Sequence, residues 1–80
     1  MHAFTLSELE KYDGKDGRRA YIGYKGKVYD VTDSFLWKNG VHQALHQAGK
    51  DLTREIKNAP HGEEFLKKFP IVGYLLDDKH

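Results

Sequence analysis

Cysteine is absent from this chain of 80 residues. Its absence excludes disulfides, cysteine-ligated zinc, iron–sulfur clusters and covalently attached c-type haem. Histidine is therefore the main soft metal ligand that remains, and the chain has five. A chain this short makes one domain with a small core, so a metal, cofactor or partner would add needed stability.

Long apolar runs and an excess of one charge are also missing. No stretch approaches the roughly 20 apolar residues of a membrane helix, and no signal-peptide pattern is present. Thirteen basic side chains stand against twelve acidic ones, for a net charge of +1. The short basic run at residues 15–19 is typical of a solvated loop rather than a nucleic-acid-binding patch. We expect a soluble, cytoplasmic protein that contacts neither nucleic acid nor membrane, although a soluble fragment of a larger protein also fits.

The amino-acid composition is that of an ordinary globular domain, with 39% hydrophobic and 31% charged residues. The first local signal is a capping box, in which Thr5 precedes Glu8 by three residues and Phe4 precedes both as a hydrophobic staple. Leucines at helical spacing follow. We therefore predict a short helix over residues 7–11.

Strand signals come next and return near the end of the chain. Residues 21–24 and 27–31 are rich in aromatic and β-branched side chains, and Lys25-Gly26 lies between them where a tight turn is needed. A two-stranded hairpin is marginal alone, and residues 70–75 supply a candidate third strand.

The middle of the chain has broken helical patterns. Residues 34–40 predict a helical turn and loop, and residues 42–49 a short helix with Gly49 just past its end. Residues 51–59 predict a helix capped by Asp51, and residues 61–69 another with acidic residues first and lysines last. The predicted fold class is α+β, a small sheet carrying short helices that must pack around something because they are not stable alone.

Three histidines, His42, His46 and His61, lie within this helical region. One interpretation is a zinc site, because His42 and His46 at i and i+4 would share one helix face and His61 could be a third ligand. A metalloprotease carries a glutamate between such a pair of histidines. This chain has none there, which argues against a catalytic zinc site.

A second interpretation is a haem held between two imidazoles, which must lie on different elements facing each other. His42 and His61 meet that requirement, because each is expected at the start of a short helix of similar length. A large apolar cofactor would also enlarge the small core. The candidate lining residues are Leu45, Leu52, Ile56, Phe65 and Leu66, with Tyr29 and Trp37 nearest in sequence.

The segments "KVYDVT", "HQAGKDLT" and "APHG…FPIVGYL" resemble the cytochrome b5 haem-binding family, and in particular its small prokaryotic haem/steroid-binding members. The resemblance covers nearly the whole chain. It implies a single cytochrome b5-like domain over residues 1–80, in which a small mixed sheet carries short helix pairs that form a haem pocket. It also implies a non-covalent b-type haem that is used for one-electron transfer. We further expect a redox partner protein, a monomer and, because no paired acid and base is apparent, no enzymatic activity.

The resemblance also assigns axial ligands. The family's second axial histidine lies thirteen positions after the alanine of its "AGxDAT" segment, and thirteen positions after Ala48 is His61. The usual "HPGG" loop of the first ligand is missing, and by position relative to Gly40 the counterpart is His42. His46 remains an alternative, as does five-coordinate haem on His61 alone. A haem or steroid-like small-molecule module without electron transfer is the alternative function.

Overall fold

The computed structural model of the protein describes residues 2–33, 41–42, 46–59 and 61–76, with the backbone only for residues 41–42 and 46–47. In chain order the elements are β1 (His2–Phe4), α1 (Leu6–Leu9), β2 (Tyr21–Tyr24), β3 (Lys27–Asp30), β4 (Val41–His42), β5 (His46–Gln47), α2 (Thr53–Lys57), α3 (Gly62–Leu66) and β6 (Ile71–Leu75). Four of the strands form one mixed sheet in the order β1-β6-β3-β2, and β4 pairs with β5.

The predicted capping box forms at the start of α1. Thr5 Oγ1 accepts from the amide of Glu8 at 3.1 Å, and Glu8 Oε1 accepts from the amide of Thr5 at 2.9 Å. Phe4 lies with Leu9 and Val28 in one buried cluster, as a hydrophobic staple requires. The helix covers Leu6–Leu9 and is therefore shorter than the predicted residues 7–11.

The predicted hairpin and third strand are confirmed. Lys25 and Gly26 both have positive φ, at 49° and 78°, which is the geometry of the tight turn that matches the twist of paired strands. Strand β6 pairs antiparallel with β3 and parallel with β1. Strand β1 was not predicted from the sequence, because three residues are too few to show an alternating pattern.

Carboxylates fix the loop that leads into β2. Arg18 donates two hydrogen bonds to Asp13, at 2.9 and 3.1 Å, and this pairing lowers the pKa of Asp13 to about 2. Burial alone would raise the pKa of Asp30, but hydrogen bonds from Thr32 and Arg19 outweigh it and lower that pKa. Both groups therefore stay ionised at neutral pH and keep their cationic partners in place.

The outer edge of β2 is covered by residues 50–52. Gly23 donates its amide hydrogen to the carbonyl of Lys50 at 2.9 Å, and its own carbonyl accepts from the amide of Leu52 at 2.7 Å. A Cβ at Gly23 would lie 3.3 Å from the Cα of Asp51, so glycine permits this close approach. The contact directs the chain into α2.

Two short helices follow. The N-cap of α2 is Leu52 rather than the predicted Asp51, although Asp51 Oδ1 still accepts from the first helical amide, that of Thr53, at 3.1 Å. Helix α3 has acidic residues in its first turn as predicted, but it ends at Leu66 instead of residue 69. The predicted lysines of the last turn lie beyond it, because Phe69 donates its amide hydrogen to the Leu66 carbonyl in a tight turn at 3.0 Å.

The helix predicted over residues 42–49 is wrong. The described part of this segment contains two strands in antiparallel pairing, with Val41 opposite Gln47 and His42 opposite His46, followed by a bend at Ala48 and Gly49. The segment has no Ser, Thr, Asp or Asn immediately before it, so an isolated helix this short lacks the cap that would start it. Gly49 does have a left-handed φ of 89°, but it turns the chain towards β2, where its amide bonds the Tyr21 carbonyl at 2.7 Å.

The main apolar cluster lies between the sheet and the helices α2 and α3. Its buried members are Ala20, Ile22, Tyr24, Val31, Ala48, Leu52, Ile56 and Leu66, and the half-buried Tyr29, Phe65 and Phe69 pack against it. Within the described ranges, no helix is long and apolar enough to cross a membrane. The predicted helical turn at residues 34–40, with Trp37, and the predicted lining residue Leu45 lie outside the described residues.

Candidate functional site

A cavity of about 390 Å³ opens between the β2–β3 turn and the helices α2 and α3. Its lining residues are Tyr24, Lys25, Ile56, Lys57, Ala59, His61, Gly62, Glu63 and Glu64. The volume lies within the range of roughly 300–1,000 Å³ typical of small-molecule sites. The lining combines apolar groups with an imidazole, two lysines and two carboxylates, so it can hold a ligand that has both apolar surface and charged or polar groups.

His61 is the N-cap of α3 and has an unusual backbone conformation. Its φ of 61° and ψ of 15° lie in the left-handed region, which side-chain-bearing residues rarely occupy, although histidine tolerates it better than most. Such strain persists only where the surroundings impose it, and it concentrates at functional positions. The imidazole side chain is 85% exposed and therefore accessible to a ligand.

The residue after His61, Gly62, packs closely against α2. Its amide donates to the carbonyl of Ala59 at 3.2 Å, and a Cβ at Gly62 would lie only 2.6 Å from the carbonyl oxygen of Ile56. Only glycine lets the start of α3 press this closely against the end of α2. The packing holds the His61 backbone at the rim of the cavity.

One nitrogen of the His61 ring is engaged. Nδ1 lies 2.7 Å from Oε1 of Glu64, three residues later on α3. Since a carboxylate only accepts hydrogen bonds, Nδ1 must carry the proton in this contact. Nε2 has no hydrogen bond to any residue the structure describes, and it is therefore the nitrogen available to a ligand.

The β2–β3 turn contributes charge and a phenol to the cavity. Nζ of Lys25 lies 3.7 Å from Oε2 of Glu63 and 5.4 Å from the ring centre of Tyr24. Tyr24 is only 4% exposed, and its hydroxyl has no hydrogen-bond partner in the described part of the chain. Burial raises the pKa of the nearby Tyr29 phenol, and the charge of Glu63 adds to the effect. The Tyr29 phenol therefore stays protonated and can donate a hydrogen bond.

The structure brings some of the predicted site residues together. Ile56 and His61 line the cavity, Leu52 and Leu66 are buried in the cluster beneath it, and Tyr29 and Phe65 pack half-buried against that cluster. His42 and His46 lie in β4 and β5.

Other cavity residues were missed by sequence reasoning. These are Tyr24, Lys25, Ala59, Gly62, Glu63 and Glu64. For Glu64 a signal was present, because its spacing of three from His61 places it within side-chain reach on a helix.

The zinc interpretation stays a prediction, although the helix on which it was based is replaced by two strands. It placed His42 and His46 on one face of a helix, whereas they are directly opposed in two antiparallel strands, a register that also puts two residues on one face. Among the side chains the structure describes, no group of three or more His, Cys, Asp or Glu residues is arranged to hold a metal ion.

Comparison with known proteins defines the class. Residues 5–76 match the profile of the "Cytochrome b5-like Heme/Steroid binding domain" family. The match covers most of the chain, and the chain therefore belongs to this family. The α+β, cytochrome b5-like fold predicted from the sequence is confirmed by solved structures.

Particular relatives are archaeal and plant proteins. A cytochrome b5 domain protein from Hadesarchaea is 58% identical with a TM-score of 0.90, covering 95% of this chain and 100% of that one. One from Methanococcoides burtonii is 54% identical with a TM-score of 0.90, covering 95% and 99%. A hypothetical Arabidopsis thaliana protein with a cytochrome b5 like fold, 24% identical with a TM-score of 0.70 over 96% and 93%, supports the fold alone.

A curated relative is called "Probable steroid-binding protein 3", from Arabidopsis thaliana. It is 36% identical over 64 residues, which are 76% of this chain. The aligned region spans 62% of that relative's length. The family and its relatives thus establish a cytochrome b5-like haem/steroid-binding domain.

Proposed function

We propose that this protein binds b-type haem non-covalently through His61 and takes part in one-electron transfer. The observation that carries the proposal is the His61 imidazole, exposed at the rim of a cavity of mixed lining, with Nδ1 held by Glu64 and Nε2 without a hydrogen bond to the described residues. Haem in this site would supply a one-electron couple whose potential depends on the axial ligands, their hydrogen bonds and burial.

The side chains that line the cavity can provide the contacts that haem needs. Neutral imidazole is a common axial ligand of haem iron, and Ile56 gives the cavity an apolar wall above the buried Leu52 and Leu66. Lys25 and Lys57 line the same cavity, and their ammonium groups suit the carboxylates of the haem propionates.

His42 is our proposed second ligand. Position relative to Gly40 supports it, as the family resemblance implies, although His42 does not head a helix. His46 and a five-coordinate haem on His61 alone remain the alternatives. We further propose that the protein works as a cytoplasmic monomer with a redox partner protein and has no enzymatic activity of its own.

Adding haem to the purified protein tests the proposal. We expect a low-spin bis-imidazole absorption spectrum in both oxidation states. His61→Ala should abolish the low-spin signal and His42→Ala should nearly do so, whereas His2→Ala, in β1, should leave it unchanged. Failure of the wild-type protein to bind haem would overturn the proposal. If zinc instead raised the melting temperature of the protein, the result would favour the zinc interpretation.

A second candidate function is the binding of a steroid-like small molecule without electron transfer. The name of the plant relative supports it, as does the buried Tyr24, whose hydroxyl is unpaired among the described residues and which lines a cavity of suitable size. Titration with a fluorescent steroid tests it. We expect saturable binding that Tyr24→Phe weakens about tenfold, since a lost hydrogen bond to a buried group costs on the order of 1–2 kcal/mol. Absence of saturable binding would exclude it.

A further inference from the structure

We infer that Glu64 is a positioning residue that fixes the tautomer and orientation of His61 and strengthens its Nε2 as a ligand. The inference rests on the proposed function, in which His61 ligates haem. Glu64 is not one of the two proposed ligands. It contacts the imidazole through Nδ1, the ring nitrogen that would not bind the iron.

The geometry of the contact supports this role. The Nδ1–Oε1 distance of 2.7 Å lies at the short end of the range for hydrogen bonds to a charged group. A carboxylate that accepts from one ring nitrogen leaves the lone pair on the other nitrogen and makes that nitrogen more basic. Glu64 thus presents Nε2, rather than Nδ1, for coordination.

The two capped helices show why Glu64 reaches the ring. In α1 the N-cap Thr5 has an extended backbone, and Glu8, three residues later, accepts from the Thr5 amide. In α3 the N-cap His61 is left-handed, and Glu64, at the equivalent position, meets its side chain instead. The strained conformation therefore converts a capping arrangement into a histidine–carboxylate pair.

The pair is poorly suited to stabilising the fold. Both side chains are largely exposed, at 85% and 72%, and exposed ion pairs contribute little to folding. A change at Glu64 should therefore leave the apoprotein folded. A loss of haem affinity in a Glu64 variant can therefore be distinguished from a loss of folding.

The chain offers a matched control in Glu63. It is also a glutamate in the first turn of α3 and lines the same cavity, but its carboxylate lies 3.7 Å from Lys25 Nζ. Removing any nearby negative charge should raise the reduction potential of a bound haem. Glu63→Gln measures that general effect without disturbing the His61 contact.

The experiment compares wild-type protein with E64Q, E64L and E63Q. Haem affinity is measured by absorbance titration, the reduction potential by spectroelectrochemistry, and folding of each apoprotein by thermal denaturation. Loss of such a partner typically weakens metal affinity by about 10–100-fold. We expect E64L to lose about tenfold or more in haem affinity and E64Q less. The potential should rise in the order wild type, E64Q, E64L, with both shifts larger than that of E63Q.

The outcomes separate this inference from the proposed function. If wild-type protein binds no haem, or if His61→Ala binds it unchanged, the proposed function fails and the inference fails with it. If His61 is required but the Glu64 variants behave like E63Q, only the inference is overturned. Should E64L unfold, the nearly isosteric E64Q carries the comparison with E63Q.

Discussion

Two parts of the chain adjoin strand β2. The first, residues 41–42 and 46–49, contains a pair of strands, whereas the second, residues 51–59 and 61–69, contains a pair of helices. Gly49 bonds Tyr21 on β2, and Leu52 bonds Gly23 on the same strand, at 2.7 Å in each case. In the first region, backbone N–H and C=O groups form hydrogen bonds between the paired strands β4 and β5. The second region satisfies them within α2 and α3, each only five residues long.

The difference shows what a very short helix needs. Helices of five residues are unstable alone, so their stability must come from packing. Ile56 of α2 and Leu66 of α3 are buried in the main cluster, and Gly62 lets the two helices touch at their junction. His61 lies at this junction and has a left-handed backbone. The histidine that we propose as a ligand is thus positioned by tertiary contacts rather than by its own helix.

Removing the Leu66 side chain should have the largest effect on this second region. Leu66 is 1% exposed, and leucine-to-alanine changes at buried sites cost about 2–5 kcal/mol. A core this small supplies only a few kcal/mol of net stability, so Leu66→Ala should leave the apoprotein largely unfolded. Urea unfolding followed by circular dichroism measures the effect.

The control for Leu66→Ala is Leu6→Ala. Leu6 is 43% exposed on α1, and substitutions at such positions usually change stability by less than about 0.5 kcal/mol. Equal losses in the two variants would show that burial of Leu66 does not hold α3.

An added methyl group at Gly62 should have a smaller effect, centred on the junction of α2 and α3. Its Cβ would approach the Ile56 carbonyl oxygen at 2.6 Å, and overpacking of this kind costs about 1–3 kcal/mol. Because α3 must shift to relieve the contact, Gly62→Ala should also displace His61 and weaken haem binding. Urea unfolding and haem titration measure the two effects.

Gly49→Ala provides the comparison in the first region. Gly49 has a φ of 89°, and a Cβ there would lie 3.3 Å from the carbonyl oxygen of Glu10. The left-handed conformation alone costs about 1–2 kcal/mol for an alanine. We expect a similar loss of stability without the effect on His61. If the two variants weaken haem binding equally, Gly62 has no special part in placing His61.

Sequence patterns identified the elements whose signals are local. The capping box of Thr5 and Glu8, the turn at Lys25-Gly26 and strand β6 are confirmed. The helix predicted over residues 42–49 failed because histidine, glutamine and alanine fit a helical spacing without specifying a helix, and pairing with a neighbouring segment overrides so weak a preference.

The site was predictable only in part. His61 and Ile56 were named from motif and spacing, and both line the cavity. Tyr24 and Lys25 were read only as parts of a hairpin, because no local pattern shows that its turn approaches α2 and α3. That approach depends on contacts such as the hydrogen bond from the Lys25 amide to Thr53 Oγ1, at 2.9 Å between residues 28 positions apart.

Replacing His46 should have the smallest effect, and it tests the first region directly. Since His42 and His46 lie opposite each other in β4 and β5, the original reason for ranking His42 first, that it heads a helix, no longer applies. The ranking now depends on position relative to Gly40. We expect His46→Ala to leave the low-spin haem spectrum and the haem affinity unchanged, while His42→Ala removes most of the signal. If His46→Ala abolishes the low-spin spectrum and His42→Ala does not, then His46 is the ligand that this hairpin supplies, and our assignment of His42 is wrong.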